Sequence, residues 1–188
     1  QSNEVWVINK YFKGNVIVKS GKKLEVFCKV GMAKGTYVIV EKGAQLVIGT
    51  GGEFTNISGQ LWGGIVVEGS SSLGQVVNNT TGFATNQGVA RIVNGGKVSQ
   101  AENGVKNYLT HSNGSINWST RGGVIIGNGA LFENNIRDVE FISYQNPLGN
   151  DRSEFVNSTF RTTADFNSTV PPYAHVTMWN TKGRSEEH

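Results

Sequence analysis

The chain is short of most of the residues that familiar chemistries need. It has one cysteine, Cys28 in "EVFCKV", so no intrachain disulfide can form and packing must hold the framework. That thiol reads as a small buried hydrophobe. No window approaches 18 consecutive apolar residues, which leaves no segment for a membrane-spanning helix. Charged residues make up 16% against 37% hydrophobic, so Asn, Ser, Thr and Gln must cover the surface. The three aspartates, Asp138, Asp151 and Asp165, stand apart from one another in sequence. The three histidines, His111, His175 and His188, lack metal-ligand spacing to another His or to the cysteine. Only 3 prolines stand beside 25 glycines, the profile of an all-β protein rich in turns.

The formal charge is +3, and it is uneven: residues 1–50 hold eight Lys against three Glu. A basic third of this kind suits either a solvated face or an anionic glycan. Basic residues are not interleaved with aromatics along one stripe, so no nucleic acid is expected as a partner. With 188 residues and no composition break, one domain over 1–188 is expected.

A repeat organises what is present. Setting "VIVKSGKKLEV" (16–26) over "VIVEKGAQLVI" (38–48) aligns Val16, Ile17, Val18, Gly21 and Leu24 with Val38, Ile39, Val40, Gly43 and Leu46, at a constant offset of 22. Each unit is a short β-branched strand, a turn with Gly and a second short strand, too small to bury its own apolar face. The pattern returns in "GGIVVEG", "ARIVNGG" and "GGVIIGNGALF", the intervals lengthened by polar stretches that read as loops projecting from a stack. Three Phe-x-Asn units, Phe54 with Asn56, Phe132 with Asn134 and Phe155 with Asn157, predict a structural ladder of stacked rings and corner asparagines, the last two units lying 23 residues apart. Together these features predict an all-β, right-handed, single-stranded parallel β-helix of roughly 22-residue coils with loop insertions, on the order of six or seven coils in all. Val16, Val38, Ile39, Val66, Ile92 and Ile125 are expected in or beside its strands.

On "YVIVEKGAQLVIGTGGEFTNISGQLWGGIVVEG", "GALFENNIRDVEFISYQN" and "HVTMWNTKG" the chain resembles the right-handed parallel β-helix (pectate-lyase-like) modules of large secreted and surface proteins of Bacteroidota-type bacteria, exported by the type IX system. The likeness covers about Val5 to Gly183, and the Trp62 to Ile65 element is its most specific part. It implies a secreted or cell-surface location, and a piece of a longer chain in which further β-helix coils are neighbours.

The enzymes of this fold make demands that can be checked. A hydrolase needs carboxylates converging on one glycosidic oxygen, and a calcium-dependent lyase needs several acidic oxygens with an Arg or Lys base. The nearest approach is "NNIRDVEF", where alternation puts Asp138 and Glu140 on one strand face beside Arg137. No polygalacturonase element is present, and neither cofactor nor metal is expected. Sugar binding needs flat rings with polar neighbours; Trp118 and Tyr144 are the preferred candidates, followed by Tyr108 and Arg137, whereas Trp62 and Trp179 read as core or coil edge. A non-catalytic display, adhesion or glycan-contact module is the expected function. A polysaccharide lyase or hydrolase fragment stays open as the alternative.

Overall fold

The structure is a computed structural model that describes residues 3–166 and 168–179. The extremes of the expected 1–188 domain, His188 among them, and the last residues of the resemblance to Gly183 lie outside the described residues. Within them the chain winds six coils of three strands each. Coil 1 is β1 (Glu4–Trp6), β2 (Lys10–Phe12) and β3 (Val16–Val18). Coil 2 is β4 (Lys23–Val26), β5 (Lys29–Met32) and β6 (Tyr37–Val40), and coil 3 is β7 (Gln45–Ile48), β8 (Glu53–Asn56) and β9 (Trp62–Val67). Coil 4 holds β10 (Val89–Val93), β11 (Lys97–Ser99) and β12 (Ala101–Lys106); coil 5 holds β13 (Val124–Asn128), β14 (Leu131–Glu133) and β15 (Arg137–Ile142). Coil 6 is β16 (Glu154–Val156), β17 (Thr159–Arg161) and β18 (Ala174–Trp179). The first strands of all coils form sheet A, the second strands sheet B and the third strands sheet C, and every ladder between coils is parallel. The protein is a parallel β-helix.

The strands are short because the chain turns a corner after each. Gly21 and Gly43 take φ of 72° at the corner from sheet C to sheet A, a left-handed conformation that costs a Cβ-bearing residue about 1–2 kcal/mol. The corners also stack: Gly21 N donates to Gly43 O, and Gly43 N to Gln87 O. At the corner from sheet A to sheet B, Asn94, Gly129 and Asn157 follow paired strand positions and share the left-handed region at 52°, 66° and 49°. Asparagine tolerates this backbone better than other side chains.

Alternation along each strand sends every second residue inward, so the core is a set of columns running through the stack. Val16, Val38, Ile65, Val105, Val139 and Val176 form one in sheet C. Val26, Ile48, Ile92, Gly127 and Phe155 form another in sheet A, and the Phe155 ring lies against Gly127, where a Cβ would come within 2.4 Å of it. Burying each of the aliphatic side chains of coils 1–5 in these columns contributes on the order of 1.5–3 kcal/mol, whereas Val176 in coil 6 is 43% exposed. Coil 1 differs, since Glu4 and Lys10 stand at the register of Leu24 and Val30, with Trp6 stacked on Phe12 at 5.3 Å and Lys10 over the Trp6 ring.

The expected Phe-x-Asn ladder is corrected by the register. Phe54 and Phe132 do share a column of sheet B, but Val98 lies between them, and the next member is Phe160, stacked on Phe132 at 5.1 Å. Phe155 belongs to sheet A and meets Phe132 only edge-on. Asn56 and Asn134 accordingly mark the corner from sheet B to sheet C, while Asn157 marks the corner from sheet A to sheet B. The cause is the connection 143–153, which lengthens this coil and moves the position equivalent to Phe132 past Phe155 to Phe160. Asn134 still bridges coils, accepting from Thr163 N at 2.7 Å and donating to Thr163 Oγ1 at 2.9 Å.

Candidate functional site

Two corners of the β-helix gather side chains beyond what coiling requires. At the corner from sheet C to sheet A, coils 1 and 2 close with the short connections 19–22 and 41–44, whereas coils 3, 4 and 5 close with 68–88, 107–123 and 143–153. All three insertions therefore leave the stack at one edge. They are joined there into a single layer. Gly69 N donates to Thr120 O, and Ser71 N to Ser119 O, tying the first loop to the second. Gln87, fully buried, accepts from Ser70 N at 2.7 Å and donates to Leu73 O at 2.7 Å. Gln75, also buried, donates to Gly122 O at 3.0 Å and accepts from Arg152 N at 2.7 Å, so one amide connects all three loops. Leaving such a buried amide unpaired costs about 1–3 kcal/mol, which is why two glutamines fix the layer.

Tyr144 belongs to this network. Its hydroxyl donates to Leu73 O at 2.6 Å, its ring covers Gly122, and only 6% of its surface is exposed. Burial, with the Asp151 charge as a smaller cause, pushes its pKa up to about 12. The ring has no open face for a sugar. Trp118 is the opposite case: it opens a single 3-10 turn, Trp118–Thr120, capped by Asn117, and is 53% exposed with the Arg121 guanidinium 5.6 Å from its ring centre. Leu73, Val76 and Leu148 are exposed on the same set of loops, Leu148 lying against Gly74.

Of the other two candidates, Arg137 lies on sheet C and Tyr108 just past β12, at the start of the connection 107–123. Tyr108 is buried, its hydroxyl donating to Glu140 Oε2 at 2.7 Å; burial first, then this hydrogen bond and the Glu140 charge, raise its pKa. Glu140 Oε1 accepts from Trp179 Nε1 at 3.0 Å and lies 3.6 Å from Arg137 Nε. Lys106 is buried between the rings of Tyr37 and Tyr108, 5.5 Å and 4.8 Å from their centres. Desolvation lowers its pKa, opposed by the charges of Glu140 and Glu102. Asp138 keeps separate company: Asn135 Nδ2 donates to its Oδ1 at 2.7 Å, and its Oδ2 is 2.6 Å from His175 Nδ1. Burial raises the Asp138 pKa, against the lowering effect of those two partners. Asp138 and Glu140 thus share no partner, although strand alternation had placed them together. Among the described residues, no group of three or more His, Cys, Asp or Glu is arranged to hold a metal ion.

Arg137 also borders a groove of about 900 Å³ at the corner from sheet B to sheet C, its guanidinium lying over the Tyr173 ring, 4.4 Å from the ring centre. The structure so divides the four candidates: Trp118 and Tyr144 on the loop layer, Tyr108 and Arg137 around Glu140. The residues that sequence reading missed are Gln75, Gln87, Lys106 and Tyr173. Nothing local marks the two glutamines, which sit in polar loops, but alternation in "AENGVKNY" signals that Lys106 shares a strand with the core residue Val105.

No protein family, no curated protein and no solved structure matches the chain. Its class, a parallel β-helix, therefore stands on its own strand register, and among the described residues no helix is long and apolar enough to cross a membrane.

Proposed function

We propose that the chain is a non-catalytic extracellular module, located on the cell surface or secreted, whose β-helix displays the layer 68–88, 107–123 and 143–153 for adhesion or glycan contact. The observation that carries this reading is the exposed ring of Trp118, held on a hydrogen-bonded layer with a guanidinium beside it. A flat aromatic face stacks on the apolar side of a pyranose while Arg and Asn meet its hydroxyls. The carboxylates near sheet C support the non-catalytic part, since Glu140 and Asp138 are each engaged by neighbouring side chains. The apolar interior of coil 6, where Val176 and Met178 are 43% and 46% exposed, favours further coils as neighbours. A second reading, a polysaccharide lyase or hydrolase fragment, draws on the gathering of Lys106, Arg137 and Glu140 on one sheet.

A glycan array with the purified protein tests the first reading. Binding that falls at least tenfold in Trp118→Ala, with unchanged melting, is the expected result; binding indifferent to Trp118 removes the support. Incubation with pectin, polygalacturonate, alginate and chondroitin, with and without calcium, tests the second. Turnover lost in Glu140→Gln would make the protein an enzyme.

A further inference from the structure

We propose that the groove at the corner from sheet B to sheet C is a second binding site, for an extended acidic peptide segment, independent of the loop layer. It is lined by Lys34 from coil 2, Leu61 from coil 3, Glu102 and Asn103 from coil 4, and Ile136 and Arg137 from coil 5. Its far wall is the segment 168–173, which precedes β18. The groove therefore runs along the axis of the stack. Five coils at about 4.8 Å spacing span about 19 Å, the length of about six residues of extended chain.

Its chemistry selects among ligands. The Arg137 Nε has no hydrogen-bond partner among the described residues; the guanidinium lies over the Tyr173 ring, 4.4 Å from its centre, with Glu140 Oε1 3.6 Å from Nε. A guanidinium stacked on a ring keeps its edge for bidentate contact with a carboxylate. Lys34 offers a second cation three coils away, about 14 Å, which is about four residues of extended chain. Side chains four apart on a strand point the same way, so two acidic residues of one peptide reach both cations. Between them Glu102 excludes a third acid and accepts from a hydroxyl or amide.

The walls suit a peptide. Leu61, Ile136, Val170 and the Pro171–Pro172 pair present carbon to aliphatic side chains, while Gln60, Asn103 and Thr169 offer hydrogen-bond partners to a peptide's backbone amides.

The test uses a fluorescein-labelled six-residue peptide with aspartate at the first and fifth positions, serine at the third and leucine elsewhere, titrated against the whole protein by anisotropy. Saturable binding is expected, weakened at least tenfold by Arg137→Ala and several-fold by Lys34→Ala, and absent for the peptide with lysine in place of aspartate. Unlabelled peptide should displace the probe, and oligogalacturonide should not. Val170→Glu, at a position 52% exposed, places a like charge on the wall without entering the core and should also abolish binding; it decides the matter if Arg137→Ala fails to fold. No saturable binding, equal binding of the lysine peptide, insensitivity to both Arg137→Ala and Val170→Glu, or displacement by oligogalacturonide at lower concentration than by peptide would each overturn the proposal. Trp118→Ala should leave peptide binding unchanged, which separates this site from the loop layer.

Discussion

Coils 1–3 and coils 4–6 solve the same packing problem with different amounts of chain. Within the first half the corner from sheet C to sheet A is closed by four residues around a left-handed glycine; from the end of coil 3 onward the same corner carries long polar loops. The core columns nevertheless run through both halves without a break, as in Val38, Ile65, Val105 and Val139. Insertions at a corner therefore leave the core columns aligned, with one register shift between Asn103 and Val105 in the β9–β12 ladder, provided the inserted loops satisfy their own polar groups. Gln75 and Gln87 perform that service in the second half, where backbone hydrogen bonds between glycine corners suffice in the first.

The largest effects should come from the shared core. Phe132→Ala, in the second half, should cost about 3–5 kcal/mol, and Leu46→Ala, in the first, about 2–5 kcal/mol, both side chains being fully buried. If the halves form one cooperative stack, either substitution lowers a single melting transition. Two separate transitions in calorimetry would break the comparison into two units.

A smaller effect should confine itself to the second half. Gln87→Ala removes contacts to Ser70, Leu73 and Tyr144 and should cost about 1–3 kcal/mol. Limited proteolysis should then cut within 68–88 before any site in coils 1–3. Asn134→Ala should fall in the same range through its lost bonds to Thr163, measured by urea unfolding.

The reach of the sequence follows the same division. From coil 1 to the start of coil 3 the offset of 22 aligns Val16 with Val38 and Leu24 with Leu46, which are paired in the structure, because nothing interrupts the coil. Past residue 68 the offset fails, since insertion lengths are set by loop packing rather than by the coil, and Phe155 was aligned where Phe160 belongs. The candidate sites were less legible still. Tyr144 has polar neighbours in sequence but is covered by Gly122 and Leu73, and the groove draws on residues from 34 to 173 that only the stacking brings together.

Smaller again is the ion-pair ladder on sheet B, which links the halves through Lys97, with Glu53 from coil 3 and Glu133 from coil 5; Arg161 also pairs with Glu133. Burial alone would raise the Glu133 pKa, but the hydrogen bonds and charges of Lys97 and Arg161 reverse this and lower it. A carboxylate with a depressed folded pKa contributes stability above its unfolded value, about 4.3, and loses it as pH falls through the folded value. Glu133→Gln should therefore flatten the acid side of the stability profile, seen in melting temperatures between pH 7 and pH 3. The smallest effect belongs to the first half: Lys19→Ala, which opens an exposed pair with Glu41, should cost about 0–1 kcal/mol and less at high salt.

The most direct measurement is native-state hydrogen exchange at the amides of Ser70, Gln75, Leu109 and Arg152, which donate to side chains within or between the inserted loops. One ordered layer on a continuous β-helix predicts that all four are protected, and that Gln87→Ala speeds those of Ser70, Gln75 and Arg152 while amides in coils 1–3 keep their rates. Exchange at the rate of unstructured peptide in the unmodified protein would contradict it.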